Sequence, residues 1–284
     1  MKADIIVNEY ALVWYMLFQS DVNESLSKLK ERLWQTYKEQ YNNTYNDRAD
    51  ILIENKDFIP NDDTIYNIFF ENKDYQKELK CVEKYRLELL KIWDKNIKIT
   101  SNFYKNIIRK KINDYTIYVV CKESNIIDCS IKNTMVIGID SNKEGYIDCL
   151  LKINMAIVLT NTKKYNSKEK ESIRLAIIEL AIMNEYASLL KNKSCFISGS
   201  TKLYDLKRFL YPYWLMYIGT PEEKILDRMK KDNIIYNLDE YLYNKELRKM
   251  NIDEFVDFCI KLNVNLKWYV RLGGYIWIKI LKFY

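Results

Sequence analysis

Glycine and proline are scarce in this chain, with only six glycines and three prolines in 284 residues. Average usage would give about 20 glycines and about 14 prolines at this length. Because these two residues form most tight turns and interrupt helices, their scarcity excludes collagen-like, linker-rich and many-turned all-β chains. Hydrophobic residues make up 48% of the chain and charged residues 30%, which is typical of a globular protein. The sequence therefore favours long helices.

Apolar residues at helical spacing predict helices along the first 112 residues. Residues 4–19 are rich in apolar side chains and are expected to form a buried helix. A long charged helix is expected over 74–95, and another over 99–112. The core face of the 74–95 helix is expected to carry Leu79, Val82, Leu87, Leu90 and Trp93.

Two short segments rich in β-branched and aromatic residues, 116–121 and 134–139, are predicted to be strands. Helical patterns return at 146–160, 167–190, 201–218, 221–231 and 252–263. The predicted fold class is therefore α+β and predominantly helical, with a small sheet near 115–140. We expect one domain, 1–284, made of a helical N-terminal half (1–112) and an α+β C-terminal half (113–284).

The composition excludes several kinds of catalytic site. The chain has no histidine, and its six cysteines form no CxxC pair, so no familiar zinc site can be completed. No glycine-rich phosphate loop occurs, and catalysis by Ser-His-Asp or Cys-His is impossible without histidine. We expect no catalytic residue, no bound metal and no cofactor.

Charge and hydropathy bear on partners and location. The net charge of +6 is compatible with contact to nucleic acid, although an AT-rich genome would also raise the lysine content. The apolar run Ala11–Phe18 is short and lacks a small-residue cleavage site, and no run approaches the roughly 20 residues of a membrane span. A cytoplasmic protein without a transmembrane segment is expected, and its oligomeric state is open.

The order of elements after residue 115 is similar to that of a known enzyme family. A strand over Met135–Ile139 leads through Gly145 into a helix that contains Asn154, and a second long helix carries Asn184-Glu185. This order resembles the catalytic half of the gluzincin metallopeptidases, in which a helix bearing HExxH follows an edge strand and a later helix supplies a glutamate ligand. The resemblance covers residues 115–190.

The resemblance implies that the zinc site has been lost. By position, the two histidines would fall at Asn154 and Val158, and the general-base glutamate would fall at Met155. Glu185 alone matches the family, and it lies farther from Val158 than the family usually shows. Because one carboxylate cannot hold zinc tetrahedrally, the resemblance implies a pseudoenzyme that keeps only a peptide-binding groove. The groove residues would be Val136, Ile137, Gly138, Asn154 and Glu185.

Three functions remain open at this point. The leading one is a non-catalytic module that binds a peptide or a protein. A basic nucleic-acid-binding protein from a mobile element or virus is the first alternative, and a carboxylate-dependent hydrolase is the second. Glu185 would accept a cationic group of the partner in the first case, and otherwise would be exposed or held in a local salt bridge. Aromatic residues over 209–217 are expected to be core rather than a base-stacking surface, and the tail 266–284 is expected to pack on the domain or on another subunit.

Overall fold

The computed structural model describes residues 2–7, 12, 73–120, 127–128, 133–138, 145–191, 203–232 and 243–264. Residue contacts divide the chain into two compact units. The first unit comprises Met1–Ser101 and Ile112–Ala156, and the second comprises Asn102–Lys111 and Ile157–Tyr284. The single domain expected over 1–284 stays a prediction, because compactness does not decide whether each unit folds independently.

A small sheet lies in the first unit. Its strands are β1 (Ala3–Ile6), β2 (Tyr115–Val119), β3 (Ile127–Asp128) and β4 (Thr134–Ile137). The strand order is β1-β2-β4-β3, in which β1, β2 and β4 run parallel and β3 runs antiparallel to β4. In β2 the alternate side chains Tyr115, Ile117 and Val119 are buried, as expected for a strand with one face on the core.

The structure corrects the start of the helix expected over 4–19. Ala3–Ile6 is a strand that pairs in parallel with β2, from Ala3 opposite Tyr115 to Ile6 opposite Tyr118. Ala3 and Ile5 are buried whereas Asp4 is exposed, which is the period of a strand. A short apolar run does not distinguish a strand from a helix, and the pairing partner is distant in sequence. Residues 8–11 and 13–19 lie outside the described residues.

One long helix, α1 (Lys73–Phe103), replaces the two helices expected over 74–95 and 99–112. A π-helical segment, Tyr104–Ile108, continues it. Val82 and Trp93 are buried as predicted, but Leu87 is 47% exposed. The reason is geometric, because Leu87 follows Val82 by five residues and therefore points about 140° away from it around the helix.

The remaining helices confirm the predicted pattern, and with the small sheet they confirm a predominantly helical α+β fold. None of the helices in the described ranges is both long enough and apolar enough to cross a membrane. The elements are α2 (Tyr146–Asn161), α3 (Lys168–Glu179), a π-helical segment (Leu180–Tyr186), α4 (Ala187–Leu189), α5 (Tyr204–Tyr217), α6 (Glu222–Lys231), a 3-10 helix (Lys245–Lys249) and α7 (Ile252–Val264).

Helix α5 forms much of the core of the second unit. Every residue from Leu210 to Tyr217 is buried, which confirms that this aromatic stretch is core. The ring of Tyr217 stacks on that of Phe255 in α7, with the centroids 4.4 Å apart. The aromatic tail 266–284 lies outside the described residues.

Arg109 ties the end of the Tyr104–Ile108 segment to distant parts of the second unit. It adopts a left-handed backbone conformation with φ of 55°. Its guanidinium donates hydrogen bonds to the carbonyl oxygens of Tyr217 (2.9 Å), Arg248 (2.6 Å) and Met250 (3.2 Å). It also lies 4.5 Å from the centroid of the Tyr217 ring. One side chain therefore satisfies carbonyl groups at the end of α5 and at the C-terminal end of the 3-10 helix.

A buried ion pair joins α3 to α5. Lys207 Nζ lies 2.9 Å from Glu179 Oε2, and the two side chains are only 2% and 9% exposed. Because burial removes both groups from water, the charge of each must be balanced by protein groups, and the ion pair supplies that balance directly.

Candidate functional site

The predicted groove residues of β4 do not lie on a free sheet edge. β4 pairs with β2 on one side, and on its other side Val136 and Ile137 lie opposite Asp128 and Ile127 of β3. Val136 and Ile137 are also buried, and Gly138 directly after them is half-buried. The edge strand that the resemblance implies is therefore not free at Val136 and Ile137, since strand partners lie on both of their sides.

The residues that the resemblance assigns to the zinc and general-base positions lie in α2. Asn154 is fully buried, and its Nδ2 donates a 2.8 Å hydrogen bond to the carbonyl oxygen of Leu150 one turn earlier. Val158 is buried and Met155 is half-buried. Asn154 belongs to the first unit and Glu185 to the second. The groove expected between them stays a prediction.

Glu185 is the predicted residue with the most distinctive surroundings. It lies in the π-helical segment Leu180–Tyr186, a type of helix that often occurs at functional sites. Its side chain is only 14% exposed. The indole Nε1 of Trp214 donates to Glu185 Oε1 at 3.4 Å, and Arg228 Nη2 lies 3.5 Å from the same oxygen. The local salt bridge considered as the alternative for Glu185 is therefore present.

A second carboxylate shares the same arginine. Arg228 Nε donates to Asp232 Oδ2 at 3.3 Å, and the hydroxyl of Tyr211 donates to the same oxygen. Asp232 follows α6 directly, where the negative end of the helix dipole disfavours an acid. The partners from α5 and α6 offset that cost. We call Glu185, Arg228, Asp232, Tyr211 and Trp214 the Glu185 cluster.

Burial governs the protonation of this cluster. Removal from water raises the pKa of Glu185, while the charge of Arg228 and the indole of Trp214 oppose that rise. Burial, together with the hydrogen bond to Asp232, raises the pKa of the Tyr211 hydroxyl. Burial alone would lower the pKa of Arg228, but the carboxylate of Glu185 and other nearby groups raise it overall. Tyr211 therefore stays a hydrogen-bond donor and Arg228 stays a cation near neutral pH.

One oxygen of each carboxylate remains open. Both contacts to Glu185 are made at Oε1, and both side-chain contacts to Asp232 are made at Oδ2. Within the described residues, Glu185 Oε2 and Asp232 Oδ1 accept no hydrogen bond. Each carboxylate therefore has one oxygen without a donor among these residues, and the Glu185 side chain is only 14% exposed.

Glu185 stands out in the sequence, but nothing there links it to its companions Arg228, Asp232 and Tyr211. One local signal was present. An acid at the C-terminal end of α6 is unfavourable by itself, and Arg228 lies one turn before Asp232. The spacing of four residues therefore predicts an ion pair between Arg228 and Asp232.

The described part of the chain contains no group of three or more cysteine, aspartate or glutamate side chains that could hold a metal ion. Comparison with family models, curated proteins and solved structures found no match for this chain.

Proposed function

We propose that this protein is a non-catalytic module that binds a peptide or protein partner, and that the Glu185 cluster receives a cationic group of that partner. In this proposal the scaffold is a gluzincin-like one that has lost its zinc ligands. A primary ammonium or a guanidinium, from a lysine, an arginine or a free N-terminus, is the group that the cluster would bind.

The observation that carries the proposal is the pair of open carboxylate oxygens. Glu185 and Asp232 together carry two negative charges when ionised, against the single positive charge of Arg228. The contacts of Arg228, at 3.5 and 3.3 Å, are longer than the 2.7–2.9 Å of strong charge-assisted hydrogen bonds. The arginine therefore leaves acceptor capacity and negative charge that a cationic partner group would satisfy.

The surroundings favour binding of an organic cation. The indole of Trp214 and the phenol of Tyr211 fix one oxygen of each carboxylate, so little side-chain entropy is lost when a ligand binds. Partial burial lowers the local dielectric and strengthens each charged hydrogen bond. No histidine is available anywhere in the chain for zinc binding or for general-base chemistry. These features support recognition without a chemical step.

The test uses the full chain and two pools of peptides that differ at one central position. One pool carries lysine or arginine there and the other carries glutamine. The wild type should prefer the cationic pool. Glu185→Gln should remove that preference and raise the Kd of the best cationic peptide about 5- to 150-fold, the equivalent of about 1–3 kcal/mol for a hydrogen bond to a charged group.

Asp227→Asn is the matched control, because Asp227 is an exposed acid on α6, next to Arg228, and its replacement removes the same charge. This variant should keep the affinity and the preference of the wild type. Equal binding of the two pools by the wild type, or equal affinity of wild type and Glu185→Gln, would refute the proposal.

A further inference from the structure

A row of lysines runs along the exposed side of α1. The first half of the helix contributes Lys73, Lys77, Lys80 and Lys84, and the second half contributes Lys91, Lys95 and Lys98. All seven side chains are exposed. We call these residues the lysine row, and all of them belong to the first unit.

The spacing of the lysine row places its charges along one straight line. Successive lysines are separated by four, three, four, seven, four and three residues, so that they recur on the same side of the helix. At about 1.5 Å of rise per residue, the row is about 38 Å long and presents one charge per about 6 Å. The first four lysines, together with Gln76 and Cys81, also line an open groove. The surface is therefore long and narrow, and its positive charges are interrupted between Lys84 and Lys91, where Leu87 and Glu88 lie.

The same helix carries Glu83, Glu88 and Asp94 three or four residues from lysines of the row, but among the described residues only Glu88 forms an ion pair with one of those lysines. Lys91 forms an ion pair with Glu88 at 2.6 Å. Among the residues that the structure describes, the other six lysines have no carboxylate partner. Neighbouring lysines three or four residues apart repel one another and destabilise the helix. An arrangement that opposes helix stability points to an anionic partner with repeated charges.

We propose that the lysine row binds the phosphate backbone of a nucleic acid. A nucleic acid is a linear polyanion with one phosphate per about 3.4 Å of each strand, so a row about 38 Å long faces several phosphates at once. The scarcity of exposed large apolar side chains on α1 favours this partner over a membrane. A helix that lies on a membrane inserts a broad apolar face, whereas Leu87 is the one large apolar side chain of α1 that is strongly exposed among the described residues.

The same surface predicts binding that does not depend on base sequence. Lysines contact phosphates as point charges, and bases are recognised instead through stacking or hydrogen bonds to their edges. The ring of Tyr85 on α1 packs against that of Tyr146, with the centroids 5.0 Å apart. Tyr85 is therefore engaged within the protein rather than presented to a base. The inference is separate from the proposed peptide site, because the Glu185 cluster belongs to the second unit.

The experiment measures binding of the full chain to a fluorescent 25-base-pair DNA duplex (about the length of two helical turns), as a function of salt concentration. Counterion release gives a slope of about −0.9 per phosphate contact in a plot of log K against log salt. Seven contacts therefore predict a loss of affinity of about 6,000-fold between about 50 and about 200 mM salt. Replacement of Lys77, Lys80 and Lys84 by glutamine leaves four contacts and predicts a loss of about 150-fold over the same range.

Two further variants make the result specific. Glutamine at Lys91, Lys95 and Lys98 should also make the plot of log K against log salt less steep. Glutamine preserves the helix because it is a good helix former. Glutamine at Lys164, Lys168 and Lys170, three exposed lysines of the second unit, removes the same charge and should leave the slope unchanged. Circular dichroism verifies that each variant is folded.

Three results would overturn the proposal. These are undetectable binding of both the duplex and a single strand of equal length at about 50 mM salt, an equal change of slope in the Lys164, Lys168 and Lys170 variant, and binding to vesicles containing about one-third phosphatidylserine in the absence of binding to either nucleic acid. A single-stranded oligonucleotide of equal length shows which form of nucleic acid the row prefers, and tight binding to either form supports the proposal.

Discussion

Replacing Lys207 by methionine should destabilise the second unit by about 3–5 kcal/mol. The change removes the cation from a pair whose side chains are only 2% and 9% exposed. The carboxylate of Glu179 then stays buried after losing its ion pair with Lys207. The breaking of a buried ion pair is among the few causes of a loss this large from a single substitution.

The magnitude follows from the geometry of the pair. At 2.9 Å and an effective dielectric constant of about 20, the attraction between the two charges is about 6 kcal/mol. Burial costs each ion several kcal/mol of hydration, so the intact pair contributes little net stability. Loss of one partner removes the attraction but keeps the hydration cost of the other. Loss of both removes the two terms together.

The double variant Lys207→Met with Glu179→Met should therefore be about as stable as the wild type or more stable. The assay is urea unfolding of the wild type, both single variants and the double variant, followed by far-ultraviolet circular dichroism. The cycle isolates the coupling between the two residues. Lys224→Met, at an exposed lysine of α6, is the control and should change stability by less than about 0.5 kcal/mol.

Two outcomes would contradict this reasoning. A cost below about 1 kcal/mol for Lys207→Met would show that the charge of Glu179 is well solvated without the lysine. A double variant no more stable than Lys207→Met alone would show that packing of the lysine chain, rather than charge, determines the loss.

Two further predictions concern Glu185 and Arg109. Burial raises the pKa of Glu185, so its contribution to stability is fully present below the ordinary glutamate pKa of about 4.3 and is lost as the pH rises through the folded-state value. The free energy of unfolding of the wild type relative to Glu185→Gln should therefore be greater near pH 5 than near pH 8, and an opposite trend in urea unfolding would count against the burial argument. Arg109→Lys should lower the free energy of unfolding by about 2–3 kcal/mol in the same assay. The reason is that one ammonium cannot replace a guanidinium that donates to the carbonyls of Tyr217, Arg248 and Met250. Unchanged stability would show that water satisfies these carbonyls.

Helices could be predicted from the sequence because their signal is local. The segments around α5, α6 and α7 start and end within a few residues of their predicted bounds. The strand β1 could not be predicted in the same way, because Ala3–Ile6 becomes a strand only through pairing with residues near Tyr115. The exposure of Leu87 could not be predicted either. Its spacing of three residues from Leu90 suggests that both lie on the core face, but the buried face of α1 leaves Leu87 exposed.

The candidate site was predictable only in part. Glu185 attracts attention in the sequence because its helix is mostly apolar, but its partners Trp214 and Arg228 come from other helices. The free edge assigned to Val136 and Ile137 depends on strand order, which a sequence does not display, and β3 covers that side. The lysine row, in contrast, can be read directly from the spacing of Lys73, Lys77 and Lys80, provided that the helix runs unbroken.

The hydrogen bonds of Arg109 have a consequence for synthesis of the chain. Its three carbonyl partners lie 108, 139 and 141 residues later in the sequence. At about 5–20 residues per second, Arg248 is added to the growing chain about 7–28 s after Arg109. Until Tyr217 is added, about 5–22 s after Arg109, the guanidinium has helical neighbours but none of these distant acceptors. Elongation of the polypeptide, rather than the speed of helix formation, therefore sets the earliest moment at which the second unit can close around its first segment.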